Sequence, residues 1–168
     1  MGMVKDGHAL GFHNYRGDFN LILRAAMRLE PDRTGGCFCA ADVTTGVPIA
    51  LGICGEVLEE KHPKYVAFAQ EKPRRLATHP DHLTSQESSD SAKEMYPGAI
   101  RTPEYLLAFS GFSGEMDEAM MIEYALMRHM ITYGEAEEIA RRSRNGKWQT
   151  LRQEILNLKS AVPSRDPI

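Results

Sequence analysis

Residues 115–132, EMDEAMMIEYALMRHMIT, spell a helix that is apolar nearly all round. Ala119, Met120, Met121, Ile122, Ala125, Leu126, Met127, Met130 and Ile131 spread over most of its circumference, and such a helix is buried on most sides. A chain of 168 residues suits one domain with one core, which leaves little cover for it. The helix is therefore expected to lie at a subunit interface.

The chain reaches this helix through Phe109 to Gly114, FSGFSG, where an apolar run ends in two Ser-Gly pairs. A strand entering a helix through Gly and Ser resembles the places where helix N-termini bind phosphate. The spacing fits neither the dinucleotide fingerprint nor the P-loop, which needs Gly-Lys-Ser/Thr, and it is not G-x-S-x-G. Glu115, Asp117 and Glu118 crowd the first turn, where each complements the helix dipole by roughly 0.3–1 kcal/mol and repels an incoming phosphate. Ser113 thus reads as an N-cap rather than a nucleophile, and Gly111 and Gly114 as backbone devices.

Around this corner the sequence divides into recognisable pieces. Residues 1–17 read as a loose lead-in, and 18–160 as a single α+β domain in which 132–160 are added helices. Residues 161–168 read as a tail. Asp18 is a plausible N-cap for a helix over FNLILRAAMRLE, ended by Pro31. GCFCAADVTTGVPIALGICG reads as a β-hairpin. With Thr45-Gly46 as its two loop residues, Cys37 faces Cys54 across the ladder and Cys39 shares their face. Pro48 has no N–H to donate, so its strand is an edge or bulges there. Residues 56–78 are helical, with a break expected near Lys72 because Pro73 cannot sit mid-helix without a kink. The polar stretch 79–98 reads as a loop covering a cleft. Strands follow within 99–112, then the apolar helix. Helices near 135–144 and 147–160 are divided by Asn145-Gly146, a C-cap signal. The last carries Trp148, Leu151, Ile155 and Leu158 on one stripe, which either docks within the chain or exchanges with a second subunit.

Charge and composition exclude several classes of partner. Lys and Arg total 20 against 23 Asp and Glu, and the net charge of −3 gives no field that gathers nucleic acid or anionic membrane. No apolar run approaches the roughly 20 residues of a membrane span, and the N-terminus lacks the apolar core of a secretory signal. Cytoplasmic residence is expected. Three cysteines in such a chain read as reduced, small buried hydrophobes rather than disulfides or metal ligands.

Candidate site residues are few. His79 and His82 flank an Asp in one loop, HPDH, but two ligands do not make a metal site, and none is assigned. His62, ahead of Pro63, is placed to line the same cleft, and His129 reads as a core or interface residue. Lys72, Arg74 and Arg75 form either a solvated basic face or an anion clamp. Asp117 is a candidate acid/base group.

Three segments taken in order resemble the GlcG/HbpS-like haem-binding domains. The first is the hairpin CAADVTTGVPIALG, whose turn DVTTG stands where the family has Asp-x-x-Gly. The second is the helix AFAQEKPRRLATHP, with Lys72 at the family's lysine and Pro80 near its proline. The third is the corner, Ser110-Gly111 or Ser113-Gly114 followed by Asp117-Glu118. The likeness covers roughly residues 18–132. Pro73 departs from it, as do the long 79–98 loop, the short RTPEY connection and the helices after 133. The resemblance implies an α+β fold, a mainly antiparallel sheet flanked by helices in a profilin- or PAS-like layout. It also implies homo-oligomers packed through helices, here 115–132 and 147–160, and a small-molecule ligand, haem or a related carboxylated compound. On this reading the cleft lies between the sheet and helix 56–78, Lys72 and Arg75 meet ligand carboxylates, and His62 or His79 is the axial or polar contact. Ser113 is a further ligand contact. Two other readings stand beside it: an enzyme on the same frame, with Asp117 or a histidine acting on a small organic acid, and a structural or regulatory subunit.

Overall fold

The computed structural model describes Phe12 and residues 14–161; His8, His13 and the tail from 162 lie outside the described residues. The elements are α1 (Tyr15–Leu29), β1 (Gly35–Asp42), β2 (Pro48–Gly55), α2 (His62–Ala77), β3 (Ala99–Arg101), β4 (Tyr105–Ser110), α3 (Gly114–Met127), α4 (Tyr133–Ser143) and α5 (Trp148–Ser160). The four strands form one sheet in the order β2-β1-β4-β3, every neighbour antiparallel. The chain is α+β, with helices on both faces of the sheet.

The period-2 alternation of the central strands sorts their side chains. On β1, Cys37, Cys39 and Ala41 face α2, while Phe38 and Ala40 face α1 and α3. On β4, Leu106 and Ala108 join the first set and Leu107 and Phe109 the second. The α2 side is built of small residues: Cys37, Cys39, Ala41, Ala69, Ala99 and Ala108 bring the helix close to the sheet. The cleft expected between sheet and α2 is therefore filled over the middle of the sheet and open only at its end, where Lys64, Tyr65, Phe68 and Lys72 of α2 face Ser110 and Gly111.

The apolar helix needs no second subunit. Every residue of α3 from Met116 to Ala125 is buried within this one chain, under β4, α1, α4 and α5. The Trp148 stripe completes the cover: Trp148, Leu151, Ile155 and Leu158 are buried against α1 and α3, and Trp148 Nε1 donates to Glu123 Oε1 at 2.8 Å. Both helices assigned to a subunit contact are thus used inside the chain. This cover follows from length, because the added helices supply the apolar area that a shorter domain lacks.

Local readings are also corrected. Helix α1 starts at Tyr15, ahead of Asp18, whose carboxylate pairs with Arg128 at 2.5 Å instead of capping. The hairpin turn is longer than two residues: Asp42 N donates to Val47 O, and Asp42 Oδ1 accepts from the amides of Thr44 and Thr45. That turn and a register shift at Ala40/Ala41, opposite Pro48, place Cys54 beside Gly36 and on the sheet face opposite to Cys37 and Cys39. β2 is an edge strand, as Pro48 requires. Helix α2 runs through Pro73 to Ala77 without a break. The imino acid removes one ladder bond near the helix end, and burial of Ala69, Pro73 and Leu76 offsets the cost of about 3 kcal/mol. Arg144 (φ 54°), not Gly146, ends α4 in the left-handed conformation; Asn145 Oδ1 instead accepts from the amides of Lys147 and Trp148 at the start of α5. His129 is exposed, in the left-handed conformation at φ 55° just after α3.

Most of the 79–98 stretch packs against the chain instead of roofing a cleft, and Tyr96 is the part of it that walls the opening at the end of the sheet. Two short 3-10 turns, Ser85–Ser88 and Ser91–Lys93, pack beside β3, with Thr84 bridging to Ile100. Arg101 ties the segment down by donating to the carbonyls of Val43, Leu76, His79 and His82.

Candidate functional site: a cationic cavity at the elbow

The corner between β4 and α3 is held by one carboxylate. Asp117, in the first turns of α3, accepts from the Phe112 amide at 2.9 Å through Oδ1, and its Oδ2 lies 3.3 Å from Lys72 Nζ. Lys72 also donates to Phe109 O at 2.6 Å. Each of the pair is only 2% exposed. Helix α2 thereby reaches across the end of the sheet to grip the elbow. Gly98 (φ 128°) permits this approach, since a Cβ there would lie 2.6 Å from Lys72 Nζ.

Burial sets the titration of both groups. It pushes the Asp117 carboxyl up to about 6, against the pull of Lys72 and the Phe112 amide. Burial likewise pushes Lys72 below the usual lysine range, with Asp117 opposing. Each partner is moved toward its neutral form, so a proton passing from Lys72 to Asp117 climbs a smaller gap than it would in water.

The pair floors a cavity of about 230 Å3. Phe68, Tyr96 and Phe112 wall it, Arg33 and Lys64 stand at its sides, and Gly111 and Gly114 bring backbone to its edge. Three cations and one carboxylate line it, on a chain whose net charge is −3, and Arg33 also pairs with Asp32 at 3.7 Å and donates to Gly111 O at 3.4 Å. The cavity adjoins a groove of about 360 Å3 that shares Arg33, Tyr65 and Gly111 with it. Concentrating cations in a concave site on an acidic chain favours a small anion.

The structure brings together Lys72 and Asp117 from the residues singled out by sequence, and separates the rest. Arg75 is neither solvated nor turned to the cavity. It is buried, and its guanidinium donates to the carbonyls of Ser85, Ser88 and Tyr96 while pairing with Glu71 at 2.9 Å. His62 and His79 do not share a cleft, because they stand at opposite ends of α2. His62 Nε2 lies 2.9 Å from Val57 O, beside a separate surface hollow. His79 Nδ1 lies 2.9 Å from Arg75 O, and its ring stacks on His82 at 4.6 Å. Among the described residues no group of three His, Cys, Asp or Glu side chains is placed to hold a metal ion.

Ser113 is absent from the cavity wall and caps α3, accepting from Met116 N at 3.3 Å. Its hydroxyl donates to Glu30 Oε1 at 2.5 Å and accepts from Lys147 Nζ at 2.8 Å. One donor and two lone pairs are thus all engaged, which leaves nothing for nucleophilic attack. Burial raises the Glu30 carboxyl, and the hydrogen bonds from Lys147 and Ser113 outweigh it, holding the group below its ordinary value. Glu118, the neighbour of Asp117, points elsewhere: it is 1% exposed, hydrogen-bonded by Ser143, and pushed by burial up to about 7.

Sequence reasoning passed over Arg33, Lys64 and Gly98. Arg33 and Lys64 look like ordinary surface charges, and only Gly98, after Tyr96-Pro97, carried a local backbone signal. The cysteines are free and buried, and burial lifts Cys37 to about 11 and Cys39 and Cys54 to about 12. Among the described residues no helix is long and apolar enough to cross a membrane. The chain matches no protein-family model, no curated protein and no solved structure.

Proposed function

We propose that this chain is a small-molecule-binding domain of the GlcG/HbpS-like type whose ligand is a compact carboxylate, held in the elbow cavity. The observation that carries the reading is the buried Lys72–Asp117 pair on the floor of a cavity flanked by Arg33 and Lys64. Two residues far apart in sequence, the lysine and the acid on which the family resemblance rests, meet at that point, which supports the kinship. Arg33 and Lys64 supply donors for the carboxylate, and the aromatic walls hold the rest of the molecule. The cavity, at about 230 Å3, lies below the roughly 300–1,000 Å3 of sites for drug-sized ligands, and its walls include no histidine. Both points favour a compact acid over haem. Three buried free thiols support a cytoplasmic setting.

The test is a pair of titrations. Lactate is expected to shift the backbone amide resonances of Gly98, Gly111 and Phe112 saturably, and the Lys64→Gln and Arg33→Gln variants to weaken that binding. Haemin is expected to give no Soret band of a ligated haem. A Soret shift with one haem per chain would restore haem as the ligand, and silence toward both compounds would remove the cavity as a site.

A further inference from the structure

We infer that Lys72 is an amine nucleophile that forms an imine with a small α-keto acid, with Asp117 as its proton partner. This rests on reading the elbow cavity as a carboxylate site.

The ammonium of Lys72 has three protons, and its protein acceptors are Phe109 O and Asp117 Oδ2. The lysine nonetheless borders open space, in a cavity whose sides carry further cations. Arg75, one helical turn along α2, shows the contrast. There an arginine is spent on the loop carbonyls of Ser85, Ser88 and Tyr96, the use for which a fixed planar fork is suited. A lysine beside a carboxylate in a desolvated cavity is instead suited to proton exchange and addition to carbonyls. Arg33 and Lys64 account for the acid group of the substrate, and Lys72 for the carbonyl next to it. Phe68, Tyr96 and Phe112 keep bulk water from an imine once it has formed.

The steps balance without a further reagent. The Lys72 ammonium passes a proton to the Asp117 carboxylate, and burial already moves both groups that way. The free amine attacks the keto carbon, a C–N bond forms, and the carbonyl oxygen gains a proton from the nitrogen to give a carbinolamine. Asp117 returns its proton to that hydroxyl, water leaves, and a protonated imine remains beside the restored carboxylate.

The experiment is borohydride trapping of the full chain with pyruvate, read by peptide mass mapping, so that the site is located in the unmodified protein. A single reduced adduct per chain on Lys72 is expected, suppressed by excess lactate, which fills the acid subsite but has no carbonyl. The adduct is expected to be lost in Lys72→Arg. Labelling spread over exposed Lys61, Lys93 and Lys159 without preference overturns the inference. So does an absence of adduct while pyruvate still shifts the Gly98 and Gly111 amides, in which case the binding reading stands. Neither adduct nor shifts removes both.

Discussion

Lys147 Nζ lies 2.7 Å from Glu30 Oε1, and the Ser113 hydroxyl contacts both. The end of α1, the elbow and the start of α5 are therefore joined at one point, although Glu30 and Lys147 are separated by 117 positions. Replacing Ser113 by Ala removes the cap of α3 while leaving the Lys147–Glu30 pair. The expected loss is about 1–2 kcal/mol of stability in urea denaturation, with lactate binding retained. Loss of ligand binding in a folded Ser113→Ala protein would return Ser113 to the site.

The Lys72–Asp117 pair is expected to behave as a buried unit. Asp117→Leu or Lys72→Met strands the partner and is expected to cost about 3–5 kcal/mol. The double variant Lys72→Met/Asp117→Leu is expected to recover much of that loss, since no charge then remains buried. A double-mutant cycle by urea denaturation measures the coupling, and additive single costs would deny it.

Gly98→Ala acts on the same pair through the backbone. Its φ of 128° disfavours any side chain, and the new methyl would collide with Lys72 Nζ. Strain of about 1–3 kcal/mol is expected, with loss of the lactate-dependent amide shifts. A Gly98→Ala protein as stable as the parent would contradict the close approach of Lys72 to Gly98.

Glu118 sets a pH dependence. Its carboxyl is raised from 4.5 to about 7 by burial, with Ser143 and Asn145 restraining the shift and Glu115 and Glu87 adding to it. The folded chain therefore binds the proton more tightly than the unfolded chain. Stability from this group is fully present below about 4.5 and is lost as pH rises to about 7, by an amount of order 3 kcal/mol. Asp117, raised to about 6, contributes in the same direction over a lower window. Glu118→Gln is expected to be more stable than the parent at pH 8 and to lose the slope between pH 6 and 7, while the part below pH 6 that Asp117 sets remains. Thermal unfolding across that range checks it, and an unchanged slope would falsify the assignment.

Arg75→Met is expected to loosen 85–97 selectively. Three carbonyls lose their donor, so amide exchange should rise in that segment while α3 and β1 stay protected. Uniform loss of protection would mean that the segment is integral to the core.

Much of this molecule could be read from local pattern. The all-round apolar run at 115–132 required a buried helix, Pro48 required an edge or a bulge, and the Ser113 cap followed from a hydroxyl ahead of an acidic first turn. These features depend on neighbours in the chain, and so on residues that the sequence shows side by side. Tertiary structure alone decided what covers α3, because the apolar stripe of α5 can satisfy either its own chain or another. It also decided that Pro73 stays within α2, where burial outweighs one lost hydrogen bond. The same holds for the site: Arg75 and Lys72 differ by three positions, yet one holds loop carbonyls and the other faces a cavity with Asp117. That difference comes from contacts 45 residues apart in sequence, set by how α2 crosses the end of the sheet, and no local periodicity encodes such a crossing.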